Sequence, residues 1–328
     1  MQYTTLGDTG LEVSRLCLGM MSYGDPDWRP WILDEEQARP FVRRALEAGI
    51  NFFDTADMYS KGMSEEVTGK LLGEMADREE VVLATKVYFP MDEDEPNTGG
   101  LSRKTIEQQL AGSLDRLGMD TIDLYQIHRW DEATPIEETV RALDDAVRRG
   151  QVRYLGASSM WAHQFAEALH ATDRLGLEPF VTMQNHYNLA YREEEREMLP
   201  LCQRNGIGAI PWSPLARGYL ARPHEEIDAT TRGQTDDLLA QRSGSYRGGN
   251  GDEINERVAE MADEKGLTMG QVALAWLLHK DWVDAPIVGT TSVEHLEEAV
   301  EAVDVDLTDS EMDYLEEPYE PVPVVGHE

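Results

Sequence analysis

The chain has 328 residues, 41% of them hydrophobic, and its 63 acidic and 29 basic residues give a formal net charge of −34. This length suits two ordinary domains or one α/β barrel, and the acidic balance excludes a nucleic-acid-binding surface, which would have to be basic. No run of 18 apolar residues occurs, so we expect no insertion into a membrane.

The acidic residues recur along the whole chain, and only 6 of the 29 basic residues are lysines. A dispersed acidic surface of this kind indicates adaptation to high salt, because salt shortens the range over which like charges repel each other. The N-terminal sequence MQYTTLGDTGLEVSRL has neither the basic region nor the apolar core of a secretory signal. With only two cysteines, Cys17 and Cys202, the chain is expected to be a cytoplasmic protein.

Apolar stretches of strand length alternate with amphipathic helical stretches along the chain. The sequence YTTLGDTGLEVSR predicts an N-terminal hairpin around Asp8-Thr9-Gly10 that covers one end of a barrel. In the first half the predicted strands are 15–18, 51–53, 80–86 and 122–128, and the predicted helices are 35–48, 64–72, 102–117 and 136–149.

The same alternation continues in the second half. The predicted strands are 152–158, 180–184, 207–212 and 285–289, and the predicted helices are 162–175, 193–204, 252–265, 268–280 and 293–303. A long polar segment rich in Gly, Ser and Arg lies at 213–251, after the seventh strand. A loop of that length in a compact domain is usually functional.

Eight strand–helix units in one series require parallel strands with helical crossovers. They are compatible with a closed (β/α)8 TIM barrel or with an open doubly wound sheet. No G-x-G-x-x-G follows the first strand, which weighs against a Rossmann unit. We therefore predict the α/β class and a single (β/α)8 barrel domain over residues 1–328, with an N-terminal hairpin and a long loop after strand seven.

Catalytic groups in such barrels lie at the carboxyl ends of the strands. The second predicted strand leads into Asp54 and then Tyr59, the third contains Lys86, and the fourth ends at His128. Each has a simpler explanation alone, such as a turn-forming aspartate or a structural histidine. Together they are suited to proton transfer at a carbonyl or hydroxyl oxygen, because an ammonium stabilises a phenolate, a carboxylate holds the ammonium, and an imidazole orients the substrate.

Aromatic residues fall on the predicted strand-to-helix loops. They are Tyr23, Trp28, Trp130 and Trp161. Their placement suggests a partly aromatic pocket for a small-molecule carbonyl or alcohol of apolar or aromatic character.

Long segments of the chain resemble the aldo-keto reductase family. They are FDTADMYSKGMSEEVTGKLL, LATKV, DLYQIHRWD, PIEETVRALDDAVRRGQVRYLGAS, QNHYNL and IPWSPLARGYL. The resemblance runs from about Thr5 to Val303. SPLARG and the long loop after strand seven are most similar to the branch that includes potassium-channel β subunits and aryl-alcohol dehydrogenase-like proteins.

The resemblance implies a TIM barrel that binds NADP, or NAD, in extended form and reduces aldehydes or ketones. It implies Tyr59 as the general acid, Lys86 and Asp54 as the groups that tune it, and His128 as the residue that orients the carbonyl. A second reading within the resemblance is a cofactor-binding regulatory subunit with little turnover. The intact set of four favours an enzyme.

The resemblance also implies a set of cofactor contacts. Ser158, Ser159 and Gln184 would hold the nicotinamide carboxamide, and Trp212 would stack on the nicotinamide ring. The other implied contacts are Gly19, Met20, Met21, Ser213, Pro214, Leu215, Arg217, Gly218, Val288, Gly289, Thr290, Thr291, Ser292, His295 and Glu298.

This chain departs from the family pattern at two places. Ser159 stands where the family often has Asn, and GTTSVEHLEEA lacks the Lys or Arg that usually binds the 2′-phosphate. Arg232 and Arg217 are the remaining candidates for that role, so we expect only a modest preference for NADPH. No metal site is predicted, because the one other histidine near a strand end is His186.

Overall fold

The computed structural model describes residues 1–229, 234–235 and 246–327. Strands β1 (Tyr3–Thr5) and β2 (Glu12–Ser14) pair in antiparallel register and form the predicted N-terminal hairpin. The turn of this hairpin contacts the end of the barrel at which the strands begin: Gly7 N donates to Asp284 Oδ2 over 2.7 Å, and Asp8 N donates to Gly206 O over 2.7 Å. A Cβ atom on Gly7 would lie 2.7 Å from Gly206 O, so the close approach requires glycine.

Eight parallel strands form the centre of the fold. They are β3 (Cys17–Gly19), β4 (Phe52–Asp54), β5 (Val82–Val87), β6 (Ile122–Ile127), β7 (Val152–Ser158), β8 (Phe180–Gln184), β9 (Gly208–Ala209) and β10 (Ile287–Val288). Neighbours along the chain pair with each other, and β10 pairs with β3. Hydrogen bonds from Asp284 N to Ala209 O and from Ile287 N to Pro211 O join the first and last edges. The sheet therefore closes, and the predicted (β/α)8 fold is confirmed.

Helices surround the strands on the outside of the barrel. Those of the described residues are α1 (Glu35–Glu47), α2 (Met63–Met75), α3 (Arg103–Leu117), α4 (Ile136–Arg148), α5 (Ala162–Leu175), α6 (Met198–Arg204), α7 (Gly251–Lys265), α8 (Met269–Leu278), α9 (Val293–Glu301) and α10 (Asp309–Glu316). Their apolar faces pack on the sheet; in α4 the buried residues Val140, Leu143 and Ala146 recur at helical spacing. Because helices cover the outside and side chains fill the inside, β5 and β6 are buried at every position.

The predicted helix 193–204 is wrong in its first half. The chain instead forms a short 3-10 turn at Glu193–Glu195 and begins α6 at Met198. Pro200 has no N–H to donate, and its ring disfavours the interior of a helix, so it weighs against a helix that begins at 193. Glu193 also accepts hydrogen bonds from the C-terminal segment, at Val322 N and Tyr319 Oη.

Helix α10 is an element that the periodicity did not indicate. Thr308 caps it by accepting from Glu311 N, and the Glu311 side chain accepts in return from Thr308 N. The sequence Thr-Asp-Ser-Glu at 308–311 is the capping-box pattern that predicts such a start. After α10 the chain runs back over the loop that follows β8, where Val325 N donates to Tyr191 Oη over 3.1 Å.

Candidate active site

Asp54 and Lys86 form a buried ion pair at the carboxyl ends of neighbouring strands. Lys86 Nζ lies 2.5 Å from Asp54 Oδ1 and also donates to Thr55 O over 2.7 Å. Burial disfavours the ammonium, but the interactions with Asp54 and Tyr59 outweigh it, so the pKa of Lys86 is raised above its usual value. Lys86 is therefore a cation at neutral pH.

Tyr59 reaches this pair from the loop after β4. Its hydroxyl lies 3.4 Å from Lys86 Nζ, and the ammonium lies 5.0 Å from the ring centroid. The loop then turns through left-handed backbone at Ser60 (φ 49°), Lys61 (φ 52°) and Gly62 (φ 95°). Left-handed backbone is unfavourable for Ser and Lys and occurs where the surrounding structure holds a functional group in place. The turn keeps the phenol beside the ammonium.

His128 follows β6, and its main-chain N–H donates to Val87 O over 2.9 Å. The imidazole meets the ring of Tyr59 edge-on at 5.9 Å and that of Phe89 at 4.9 Å between centroids. Burial, together with the charges of Arg129 and Lys86, holds the pKa of His128 well below its usual value. The ring is therefore neutral and can donate a hydrogen bond to a substrate oxygen from one nitrogen.

Two glutamines hold the second oxygen of Asp54. Gln126 Nε2 and Gln184 Nε2 each donate to Asp54 Oδ2 over 2.9 Å, and Gln184 Nε2 also lies 3.2 Å from Gln126 Oε1. The sequence pattern identifies Gln184 but not Gln126. Gln126 precedes His128 by two residues on one strand, and strand alternation places both on the interior face, which is the signal that could have identified it.

Four of these residues, Asp54, Tyr59, His128 and Gln184, border a cavity of about 840 Å³. Its volume is within the range of small-molecule sites. Most of the predicted cofactor residues line it: Gly19, Met21, Ser158, Gln184, Trp212, Ser213, Pro214, Leu215, Arg217, Gly218, Val288, Gly289, Thr290, Thr291, His295 and Glu298. Asp54, Tyr59 and His128 share this wall, so the cavity joins the acid–base group to the expected cofactor surface.

Four predicted cofactor residues do not contribute to the described wall. Met20 is buried in the core, and Ser292 is the residue immediately before α9. Ser159 is fully buried, and its hydroxyl accepts a hydrogen bond of 2.9 Å from Trp212 Nε1. Arg232 lies outside the described residues.

Trp212 belongs to a stack of three aromatic rings. His186 lies between Trp212, at 4.2 Å and 10°, and Tyr191, at 4.1 Å and 14°. His186 Nε2 is hydrogen-bonded to Tyr246 Oη over 2.8 Å. With its indole N–H on Ser159, Trp212 is held in one orientation at the cavity wall.

The chain makes a tight turn directly after Trp212, and this turn also lines the cavity. Ser213 (φ 52°), Arg217 (φ 59°) and Gly218 (φ 98°) have left-handed backbone. Arg222, which the sequence pattern does not single out, joins Arg217 on the wall. Of the acidic residues near the last strand, Glu298 lines the cavity, whereas Glu297 is paired with Arg44.

The chemistry of these groups fits a nicotinamide dinucleotide. Trp212 supplies a flat aromatic face, and Gln184 an amide. The same cavity is lined by three residues with hydroxyl groups, Ser213, Thr290 and Thr291, and by two arginines, Arg217 and Arg222. Hydroxyl and guanidinium groups both bind ribose and phosphate oxygens.

Aromatic side chains line part of the cavity, and some of them are residues that the sequence did not indicate. Trp28 lines it as expected, and Trp31 and Phe89 join it. Tyr23 is instead fully buried, and its hydroxyl donates to Thr290 O over 3.0 Å. Trp161 is 44% exposed and contacts the ring of His327 edge-on.

Metal ligands and membrane-spanning helices are both missing from residues 1–229, 234–235 and 246–327. No three His, Cys, Asp or Glu side chains there cluster as metal ligands would. No helix in that part of the chain is both long and apolar enough to cross a bilayer.

Comparisons with known proteins match residues 15–320 to the aldo/keto reductase family. Versiconal hemiacetal acetate reductase of Aspergillus parasiticus is 45% identical over 338 residues, covering 98% of each chain. An aldo-keto reductase of Metarhizium robertsii is 44% identical, over 99% of this chain and 93% of its own. A Schizosaccharomyces pombe protein provisionally named an aryl-alcohol dehydrogenase is also 44% identical, over 99% and 97%.

Proposed function

The chain belongs to the aldo/keto reductase family of oxidoreductases, and from that premise we propose that it reduces aldehyde or ketone carbonyls to alcohols with NADPH, using Tyr59 as the general acid. One observation carries the choice of Tyr59. Its hydroxyl lies at the cavity wall, 3.4 Å from an ammonium that Asp54 holds in place.

The four residues have distinct roles in the proposed reduction. Tyr59 gives its hydroxyl proton to the carbonyl oxygen as negative charge develops there. Lys86 stabilises the phenolate that remains, and Asp54 fixes the position of Lys86. His128, neutral at physiological pH, donates a hydrogen bond that orients the carbonyl oxygen. Burial strengthens these interactions, because little water screens them.

When bound, the cofactor supplies the hydride. We assign the carboxamide contacts to Ser158 and Gln184, and the face that covers the nicotinamide ring to Trp212. Ser159 acts in this proposal by holding the indole of Trp212. The remaining contacts are the predicted residues that line the cavity: Gly19 and Met21 near the first barrel strand; Ser213, Pro214, Leu215, Arg217 and Gly218 after Trp212; and Val288, Gly289, Thr290, Thr291, His295 and Glu298 at the last strand.

A modest preference for NADPH over NADH follows from the charges around the adenosine end. Arg217 supports 2′-phosphate binding, Glu298 opposes it, and Arg232 remains a candidate from the sequence. One charge-assisted contact is worth roughly 1.5–3 kcal/mol. Titration of both cofactors against wild type, Arg232→Ala and the control Arg174→Ala, which removes an exposed arginine paired with Glu137, tests this proposal. An unchanged NADPH/NADH affinity ratio in Arg232→Ala would remove Arg232 from the role, and a wild-type preference for NADH would overturn the preference itself.

The test of the overall function is NADPH oxidation with a panel of aromatic and aliphatic aldehydes. Tyr59→Phe is expected to lower turnover by about 10²–10⁴-fold, the usual contribution of a general acid, and to leave NADPH affinity nearly unchanged. Tyr88→Phe is the matched control, because Tyr88 meets the ring of Phe89 edge-on but is not part of the cavity wall. Near wild-type turnover in Tyr59→Phe would refute the assignment. NADPH binding with negligible wild-type turnover would instead favour a regulatory subunit.

The broader organisation is also part of this proposal. We propose that residues 1–328 form one barrel domain and that the acidic surface is an adaptation to high salt. Cys17 and Cys202 are buried and unpaired, which supports placement in a reducing cytoplasm.

A further inference from the structure

Gln126 and Gln184 do more in this structure than satisfy the acceptor sites of Asp54. We propose that Gln126 is a positioning residue that engages the second N–H of the Gln184 amide, whose first N–H is held by Asp54, so that the head-group subsite presents a hydrogen-bond acceptor and selects a carboxamide over a carboxylate or a methyl ketone. This inference rests on the proposed function, in which a nicotinamide dinucleotide occupies the cavity.

Asp54 determines which way both amides point. Its carboxylate accepts from Lys86 at one oxygen and has no proton to donate at the other. Gln126 and Gln184 both approach that second oxygen at 2.9 Å. Each glutamine must therefore turn its amide nitrogen, and not its carbonyl oxygen, toward Asp54.

Both N–H groups of the Gln184 amide already have acceptors inside the protein. An amide nitrogen carries two hydrogens, and Gln184 Nε2 has two acceptors within reach, Asp54 Oδ2 at 2.9 Å and Gln126 Oε1 at 3.2 Å. Because Gln184 lines the cavity, its side-chain carbonyl oxygen, Oε1, is the group left to face a ligand. The neighbouring Ser158 hydroxyl donates to Gln184 O over 2.9 Å, which leaves its lone pairs as acceptors as well.

Gln126 can perform this role because of its place in the barrel. It is fully buried on β6, between the strand that ends at Asp54 and the strand that ends at Gln184. Gly156 on β7 leaves the space that Gln126 crosses, because a Cβ atom there would lie 2.9 Å from Gln126 Cγ. The amide of Gln126 thus donates to Asp54 and accepts from Gln184, and no other described side chain bridges the two.

An acceptor at Gln184 suits the NH₂ group of a carboxamide. A carboxylate at the same place would bring two acceptors together and add charge repulsion, and a methyl ketone would offer no donor. Binding of NADP⁺ can be compared with that of its nicotinic acid analogue and its 3-acetylpyridine analogue by quenching of tryptophan fluorescence. We expect the wild-type protein to bind the carboxylate analogue at least about tenfold more weakly and the acetylpyridine analogue about fivefold more weakly, the cost of one unmade hydrogen bond.

The ratio of ligand affinities in a Gln126 variant shows whether Gln126 positions Gln184 or only supports the fold. Gln126→Met removes the acceptor that engages Gln184, and we expect the ratio of NADP⁺ to carboxylate-analogue affinity to fall about fivefold. The control is Thr182→Val, which alters a buried side chain that also borders Gly156 and has no hydrogen-bond partner for its hydroxyl in the described structure.

The outcomes distinguish this inference from the function on which it rests. Wild-type protein that binds the carboxylate analogue as tightly as NADP⁺ would overturn the acceptor subsite but leave reductase function intact. Equal weakening of all three ligands in Gln126→Met, with circular dichroism showing an intact fold, would overturn the role of Gln126. Absence of NADP⁺ and NAD⁺ binding to the wild type would overturn the proposed function itself.

Discussion

Replacement of Lys86 by methionine should cost the protein both activity and stability. Methionine approximates the length of the lysine side chain but removes the charge that lies 2.5 Å from Asp54 and 3.4 Å from the Tyr59 hydroxyl. Removing one partner of a buried ion pair typically costs about 3–5 kcal/mol, because the other charge is left buried without compensation. Since Gln126 and Gln184 still donate to Asp54, we expect a loss of about 3 kcal/mol in the free energy of unfolding.

In the proposed reaction, the same substitution also removes the charge that stabilises the developing phenolate. A hydrogen bond to a charged group is worth about 1.5–3 kcal/mol, which corresponds to a fall in kcat/KM of roughly 10- to 150-fold. Urea unfolding and NADPH oxidation measure the two losses. Lys70→Met is the matched control, because Lys70 is 54% exposed and pairs with Glu35 at 2.7 Å on the surface. Exposed pairs contribute at most about 1 kcal/mol.

A second substitution tests whether the uncompensated carboxylate of Asp54 causes the loss of stability. Adding Asp54→Asn to Lys86→Met removes that charge, so the double variant should recover stability without recovering activity. Equal urea midpoints for Lys86→Met and Lys70→Met would refute the buried-pair argument. Wild-type turnover in Lys86→Met would refute the role of the ammonium in the proposed reaction.

Three further predictions concern other parts of the molecule. Burial raises the pKa of Asp284 from 3.8 to about 6. The stability that the protonated carboxyl contributes below pH 3.8 should therefore be lost as the pH rises through 6, by at most about 3 kcal/mol. In urea melts at a series of pH values, Asp284→Asn should flatten this part of the stability profile, and an unchanged slope would contradict the prediction. With a net charge of −34, the thermal midpoint should rise between 0.1 and 1 M KCl as the screening length falls from about 10 to about 3 Å; a flat or falling midpoint would argue against salt adaptation. His186→Ala removes the ring behind Trp212 and should weaken NADP⁺ binding roughly two- to tenfold, whereas His186→Phe should not; equal affinities in both variants would exclude a role for the stack.

The candidate site illustrates how far local sequence patterns extend. Asp54, Lys86 and His128 could be placed together from the sequence, because parallel strands in a barrel all end at the same face and the strand boundaries follow from apolar runs. Tyr59 followed from its position on the next loop. The four side chains do meet in the structure, with Lys86 between Asp54 and Tyr59.

Other features depended on contacts between segments far apart in the chain. Gln126 and Gln184 are 58 residues apart and meet across the barrel interior. Ser159 accepts from Trp212, 53 residues away, so its side chain lies behind the aromatic ring and not on the cavity wall. Glu193, predicted inside a helix, binds the C-terminal segment, at a separation of 129 residues from Val322.

The sequence by itself therefore determined the strand–helix series, the barrel and the strand ends from which the acid–base residues come, because these follow from local periodicity and from the parallel order of the strands. Only the tertiary structure decided which polar groups are partners inside the barrel. Buried donors and acceptors must find partners wherever the closed sheet brings them within hydrogen-bonding distance, and that distance depends on how all eight strands pack together. The orientation of the Gln184 amide, the support behind Trp212 and the place of Ser159 were decided at that level.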